Sequence, residues 1–129
     1  MNRDMILNAI NLITNSGADP NVTCDGWTPL NAAITFLFGE RVPDLLKAGA
    51  NVEGRSYGRT PLMWAANFGL AKTVQVLINA NADVNAVGGE NETAVILSAK
   101  LRFWDIARML KENGAHRPSE EEELSLIHI

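Results

Sequence analysis

The sequence predicts an all-α fold, a solenoid of stacked helix–turn–helix units joined by turn-rich loops. Thr28-Pro29-Leu30 returns 32 residues later as Thr60-Pro61-Leu62, and Thr93-Ala94-Val95 follows 33 residues after that. A second series keeps step: Gly17-Ala18-Asp19, Gly49-Ala50-Asn51, Asn81-Ala82-Asp83 and Gly114-Ala115-His116, with alanines spaced 32, 32 and 33. Two unrelated tripeptides holding one period mark a repeat array. Each unit of such an array contacts chiefly its neighbours, and the product is an elongated surface rather than a pocket.

The elements follow in order. Residues 4–15 carry Ile6, Ile10 and Ile13 at helical spacing and form a helix without a partner before it. Either Met1 begins a one-helix cap or the chain is cut there. Asn8, Asn11 and Asn15 on the other faces favour the cap, because terminal units need a polar outside. This half-unit occupies residues 1–22, and full units follow at 23–54, 55–87 and 88–118. The middle unit is the cleanest copy. Pro61 suits a first helical position, where its missing N–H is not needed. The helix runs from Leu62 to Phe68, and Gly69 ends it as a left-handed cap. A second helix, Ala71–Asn79, places Val74, Leu77 and Ile78 on one buried stripe. Ala86-Val87-Gly88-Gly89-Glu90-Asn91 then supplies the turn residues of a protruding loop.

The neighbouring units depart from this copy. The first lacks the glycine after its first helix; Leu37-Phe38-Gly39-Glu40 stands there, so Gly39 is read as a displaced cap and Pro43 as lying in the first turn of a shortened second helix. The third has Arg102 at that glycine position, so its first helix is expected to run on into Phe103-Trp104-Asp105. Beyond it, Ser119 and Glu122 sit at capping-box spacing with acids at the positive helix end, and residues 119–123 read as the start of a truncated further helix. Leu124-Ser125-Leu126-Ile127-His128-Ile129 is, codon for codon, the translation of CTG-TCT-CTT-ATA-CAC-ATC. That string begins a transposon end sequence used in preparing sequencing libraries, so residues 124–129 are expected to be a non-native, adapter-derived tail. The alternative is a genuine apolar tail.

The pattern resembles the ankyrin repeat, whose signature is T-P-L-H-x-A-A, then G, then V-x-x-L-L, then G-A-D-x-N. The resemblance covers roughly residues 10–115 and is specific, because several separate residues agree in register. It implies β-turn fingers, a concave face lined by the first helix of each pair and a convex back formed by the second. The signature His is replaced by Asn31, Met63 and Ile96. Asn31 can partly substitute for its local hydrogen bonds, whereas Met63 and Ile96 have to pack. Trp64 takes a position that is usually Leu in the repeat core. It is assigned to structure, as is Trp104, expected to face the packing side of its helix.

Composition bounds the function. The chain has 129 residues, 47% hydrophobic and 20% charged, which suits one ordinary soluble domain. No apolar run approaches the roughly 18 residues of a membrane span, and the start, Met1-Asn2-Arg3-Asp4, is no signal peptide. The single Cys24 fits a reducing cytosol, so a cytoplasmic monomer is the expectation, with a secreted effector left open. A net charge of −4, with no two of the eleven bases adjacent, speaks against nucleic acid as a partner. Two histidines, His116 and His128, assemble no Ser–His–Asp or Cys–His set. Cys24 beside Asp25 lacks an adjacent base to hold a thiolate. The acids at 120–123 point in different directions and hold no metal, and Gly88-Gly89 is a loop rather than a phosphate cradle. No enzyme activity, cofactor or metal is expected.

What remains is a protein or peptide partner. Carrying the family's contact positions over implies Cys24, Asp25 and Trp27 in the first finger. In the second it implies Ser56, Tyr57 and Arg59, and in the third Glu90 and Glu92. The concave helix positions are Thr35 and Phe36, Asn67 and Phe68, and Lys100 and Leu101. Trp27, Tyr57, Phe36 and Phe68 would then lie along one face, flanked by Arg59 and an acidic third finger. Such residues cover area rigidly and keep a polar handle. The competing reading places the phenylalanines in the packing between units. The expected function is a noncatalytic protein-binding module. The alternative is the targeting arm of a larger enzyme or secreted effector. A purely structural spacer would not need aromatic finger tips.

Overall fold

The computed structural model describes residues 2–115; the expectations for His116, for residues 119–123 and for the 124–129 tail lie outside them. Among the described residues seven α-helices follow one another: α1 (Arg3–Ser16), α2 (Pro29–Thr35), α3 (Val42–Lys47), α4 (Pro61–Asn67), α5 (Ala71–Asn79), α6 (Ala94–Lys100) and α7 (Trp104–Glu112). Short 3-10 turns stand at Gly39–Arg41 and Gly89–Asn91. Helices α2, α4 and α6 pack side by side as one layer, and α1, α3, α5 and α7 form a second layer behind them.

Each first helix starts on a threonine. The hydroxyls of Thr28, Thr60 and Thr93 accept from the backbone N–H groups of Asn31, Met63 and Ile96 at 3.1, 3.3 and 3.3 Å. One otherwise orphaned donor per helix is thereby satisfied. Prolines follow at the first helical position in α2 and α4. The inward faces are small and apolar: Leu30, Ala33 and Ile34 in α2, Leu62, Ala65 and Ala66 in α4, all essentially without exposure. Alanine at these places lets adjacent helices approach closely, while the fully buried Val42, Leu45, Val74, Leu77 and Leu110 of the second layer supply about 1.5–3 kcal/mol each by leaving water.

Left-handed residues end the helices on the same period. After the first helices stand Leu37, Gly69 and Arg102, at φ 66, 70 and 65°. Two expectations are corrected here. Gly39 is no displaced cap; Leu37 itself takes the left-handed position, and Gly39 opens the 3-10 turn that leads to Pro43 in the first turn of α3. Likewise α6 does not run on through Arg102; it stops at Lys100, and α7 begins at Trp104. In both units the next helix must fold back to bury its stripe, and packing enforces the turn against a residue preference of about 1–2 kcal/mol.

The closing series has an equally local cause. Asp19, Asn51 and Asp83 each accept, through a side-chain oxygen, the N–H two residues on, at 2.9 Å in all three units. This is the Asx turn that such residues favour. The residue that donates then reaches across. Asn21 accepts from the Asn51 N–H at 2.8 Å, Glu53 accepts from the Asp83 N–H at 2.8 Å, and Asn85 donates to the Gly114 carbonyl at 3.1 Å. A signature that looks like punctuation in the chain is a hydrogen-bonded rail joining units.

The histidine replacements behave as their chemistry requires. Asn31, fully buried, donates to the Gly54 carbonyl and to Ser56 Oγ, each at 2.9 Å. Met63 is buried, and Ile96 packs half-buried against the core.

Candidate functional site

Three loops precede the first helices, and two are tight hairpins. In the first, Cys24 and Trp27 exchange both backbone hydrogen bonds at 2.9 Å around Asp25 and Gly26, at φ 52 and 84°. In the second, Ser56 and Arg59 do so at 3.0 and 3.1 Å around Tyr57 and Gly58, at φ 53 and 77°. Two positive φ values in succession make a type I′ turn, which favours glycine at its second place. The third loop repeats the conformation with Glu90 and Asn91 at φ 61 and 59°.

The loops are tied to one another by several of the residues expected to meet a partner, and by Arg55. Tyr57 donates its hydroxyl to the Asp25 carbonyl at 2.5 Å. A Cβ at Gly26 would stand 3.1 Å from that hydroxyl oxygen, so glycine there serves the close approach as well as the turn. Arg59 forms an ion pair with Glu92 at 2.9 Å. Arg55 donates to the carbonyls of Gly58 and Val87 at 3.1 and 2.9 Å, bridging the second loop to the third. The charge gradient expected between Arg59 and the third finger is therefore largely closed within the molecule.

Along the first-helix layer the aromatic rings form a continuous row. Tyr57 meets Trp27 with centroids 5.1 Å apart, Trp27 meets Trp64 at 5.1 Å, and Trp64 stacks on Phe68 at 6.0 Å and 13°. These separations fall in the attractive range for tilted and offset pairs. Arg59 lies over the Trp64 ring at 5.0 Å, a cation–π contact, and the Trp64 indole donates to the Ser56 carbonyl at 3.1 Å. Tyr57 is 65% and Phe68 40% exposed; Trp27 and Trp64 are half-buried.

The row differs from the expected one at two places. Phe36 has no ring partner among the described residues; it packs half-buried against the core, and its carbonyl accepts from Arg3. Trp64 stands in the row and, like Phe36, also packs half-buried against the core. The signal was available, because Trp64 and Phe68 are four residues apart on one helix and so share a face. Trp104, also assigned to structure, is 60% exposed at the start of α7; the turn at Arg102 starts a new helix there with its buried face on Ile106, Ala107 and Leu110. Arg55 carries no sequence signal that would single it out.

The remaining positions are less coherent. Thr35 buries its hydroxyl oxygen, which takes it away from any incoming group. Asn67 is half-buried beside Phe68, whereas Lys100 and Leu101 are exposed one unit further on and join neither a ring contact nor an ion pair among the described residues. Cys24, Asp25 and Glu90 are exposed, while Ser56 is buried and accepts from the Thr28 N–H at 3.1 Å. No three of the described His, Cys, Asp and Glu residues converge in a way that could hold a metal ion, and no described helix is long and apolar enough to cross a membrane.

Comparison with known proteins gives the same architecture. The chain is 36% identical over 124 residues to Neurogenic locus notch homolog protein 1 of Xenopus laevis, covering 87% of the chain and 5% of that protein. It is 38% identical over 96 residues to Ankyrin repeat and KH domain-containing protein 1 of Homo sapiens, covering 69% of the chain and 4% of that protein. Neurogenic locus notch homolog protein 2 of Homo sapiens is 32% identical over 118 residues, 84% of the chain and 4% of its own length. The chain thus spans about one twentieth of these relatives. The family model for ankyrin repeats (3 copies) matches residues 2–88 and 37–121, and with the two helical layers and the loops between units it establishes that the chain belongs to the ankyrin repeat family.

Proposed function

We propose that this chain is a noncatalytic binding module that holds a protein or peptide partner against its finger loops and the concave side of its first-helix layer. Ankyrin repeats are in general protein–protein interaction modules. The observation that supports the finer reading is the row Tyr57–Trp27–Trp64–Phe68, which runs from a finger tip down one helix. Rings held by their neighbours lose little freedom on binding, and Trp and Tyr dominate binding energy where such surfaces meet partners. The exposed edges of Tyr57 and Phe68 would make first contact, with Asp25, Asn67 and Lys100 as polar surroundings and a monomer as the binding species. Arg59 and Glu92 serve the partner indirectly in this reading, by keeping the second and third fingers in register.

The row suits an extended peptide or a protein ridge carrying apolar side chains. Nucleic acid is disfavoured by the net charge of −4, and a cytoplasmic setting fits the single exposed thiol. The measurement is affinity capture with the full chain, comparing the parent with Phe68→Ala and Tyr57→Ala. Loss of at least about tenfold in affinity, the equivalent of about 1.4 kcal/mol, is expected for Phe68→Ala with the thermal midpoint little changed. Undiminished recovery of the same partner by both variants would remove this face from the reading. A second reading, in which the array is the targeting arm of a larger enzyme or effector, has one observation in its favour. The relatives carry their matching segment within about 4–5% of their length.

A further inference from the structure

The three first helices end alike. Phe36, Phe68 and Leu101 stand at the C-terminal caps of α2, α4 and α6, at φ/ψ of −94/14, −97/3 and −92/3°. One backbone conformation at one place in three stacked units sets these side chains in a line across the units. The aromatic row instead starts at a finger tip and runs down a helix, and the two meet at Phe68. Phe36 is half-buried, with Leu37 beside it 61% exposed; Phe68 is 40% and Leu101 47% exposed. Phe68 keeps that exposure although α4 is packed between α2 and α6. The line is therefore open within the array and not only at its edge.

The residues around the caps change in one direction. Thr35, before Phe36, has its hydroxyl oxygen buried. Asn67, before Phe68, is half-buried, and its side-chain amide makes no hydrogen bond among the described residues. Lys100 and Arg102 flank Leu101; both are exposed and neither joins an ion pair among the described residues. Asp105, the nearest acid along the chain, is exposed and pairs with neither. At the other end of the line Arg3 is occupied: it donates to the Phe36 carbonyl and lies over the Phe38 ring at 4.3 Å. The line is thus apolar over the first unit and basic over the third, in a chain of net charge −4.

We propose that this line docks an extended peptide of a partner protein in the polyproline II conformation, with an apolar side chain at every third position and acidic residues at the end lying over the third unit. Such docking requires the first-helix layer to be the binding side, as proposed, and adds the ligand's period, conformation and polarity to it. Neighbouring packed helices stand about 8–10 Å apart, and three residues of polyproline II advance about 9.3 Å. A β-strand repeats its side-chain direction about every 6.7 Å and falls out of step by the second unit. A helix advances about 10.5 Å in seven residues and would keep step, but its backbone groups are bonded internally and leave the Asn67 amide unused. An extended peptide brings unpaired N–H and C=O groups, and an amide beside the central anchor offers both a donor and an acceptor. Carboxylates at the peptide's end then meet Lys100 and Arg102, an attraction that salt screens.

The probe is a fluorescein-labelled peptide of three Leu-Pro-Pro units followed by two glutamates, titrated with the full chain and followed by anisotropy. Saturable one-to-one binding that weakens with added salt is expected. The same peptide ending in two lysines, and one with its three leucines made adjacent, should each bind at least about tenfold more weakly. Lys100→Glu with Arg102→Glu should reverse the preference between the acidic and basic ends. Should that pair lower the thermal midpoint, Lys100→Glu alone should narrow the preference. Tyr57→Ala should leave the probe's affinity unchanged, because the finger tip lies off the line. The proposal is overturned by absence of saturable binding, by equal binding of either altered peptide, by indifference to the charge reversals, or by tighter binding of a stapled helix with leucine at every seventh position. A probe that does not bind, beside a captured partner that is lost in Phe68→Ala, removes the extended peptide and leaves the binding side standing. Probe and partner both indifferent to Phe68→Ala would remove both.

Discussion

The second and third finger loops turn through the same pair of left-handed residues and hold it by different means. Ser56-Tyr57-Gly58-Arg59 has glycine at the second left-handed place, and its closing hydrogen bonds are 3.0 and 3.1 Å. Gly89-Glu90-Asn91-Glu92 puts two side-chain-bearing residues at φ 61 and 59°, and its Glu92 N–H reaches the Gly89 carbonyl only at 3.4 Å. The second loop has a sequence suited to its turn. The third closes itself by a Gly88 N–H donated to the Glu92 carbonyl at 2.7 Å. It is braced by its neighbour: Arg59 pairs with Glu92, Arg55 donates to the Val87 carbonyl, and Gly88 lies against Met63 and the Gly58 carbonyl. A repeat can therefore impose its shape on a copy whose own residues ask for something else.

The contact at Gly88 should show this most strongly. A Cβ there would stand 2.5 Å from Met63 Cε and 2.8 Å from the Gly58 carbonyl oxygen. The thioether end can move, but the backbone oxygen cannot without opening the second turn. Gly88→Ala is expected to cost about 2 kcal/mol, in the range of overpacked sites, read as a lower urea midpoint. An unchanged midpoint would mean that the third loop is not pinned by the second.

The ion pair comes next. Its side chains are 25% and 16% exposed, so its attraction is screened less than that of a surface pair and its desolvation costs less than that of a fully buried one. A double-mutant cycle of Arg59→Ala and Glu92→Ala should give a coupling of about 1 kcal/mol. Coupling near zero would assign the register of the fingers to Arg55 and the hydrogen-bonded rail instead. The smallest effect should have the opposite sign. Glu90→Asn with Asn91→Gly places the preferred type I′ pair in the third loop and should stabilise the chain by about 0.5–1 kcal/mol. The same dipeptide should also make Gly88→Ala less damaging, because the turn would then depend less on its neighbour.

The legible part of this molecule was the part written in single residues. Threonine at a helix start, proline after it and Asp or Asn two residues before a turning N–H act within one helical turn. They repeat every 32 or 33 positions, and Ala71–Asn79 could be delimited to the residue. Where the unit lacked its usual residue, local reading misplaced the break. It looked for a glycine near Leu37 and let α6 continue through Arg102, although both residues turn left-handed. The candidate surface was readable to a similar depth. Trp27, Tyr57 and Phe68 do lie together, but Trp64 joins them and Phe36 does not.

Periodicity, caps and turn residues act over a few bonds, so the chain's order of helices and its two-layer stacking follow from composition in register. Whether Arg59 is taken up by Glu92 and whether Trp64 joins a row of rings depend on groups more than about 30 residues apart meeting across unit boundaries. Such meetings are settled by packing, which acts through shape and proximity and leaves no trace in local spacing.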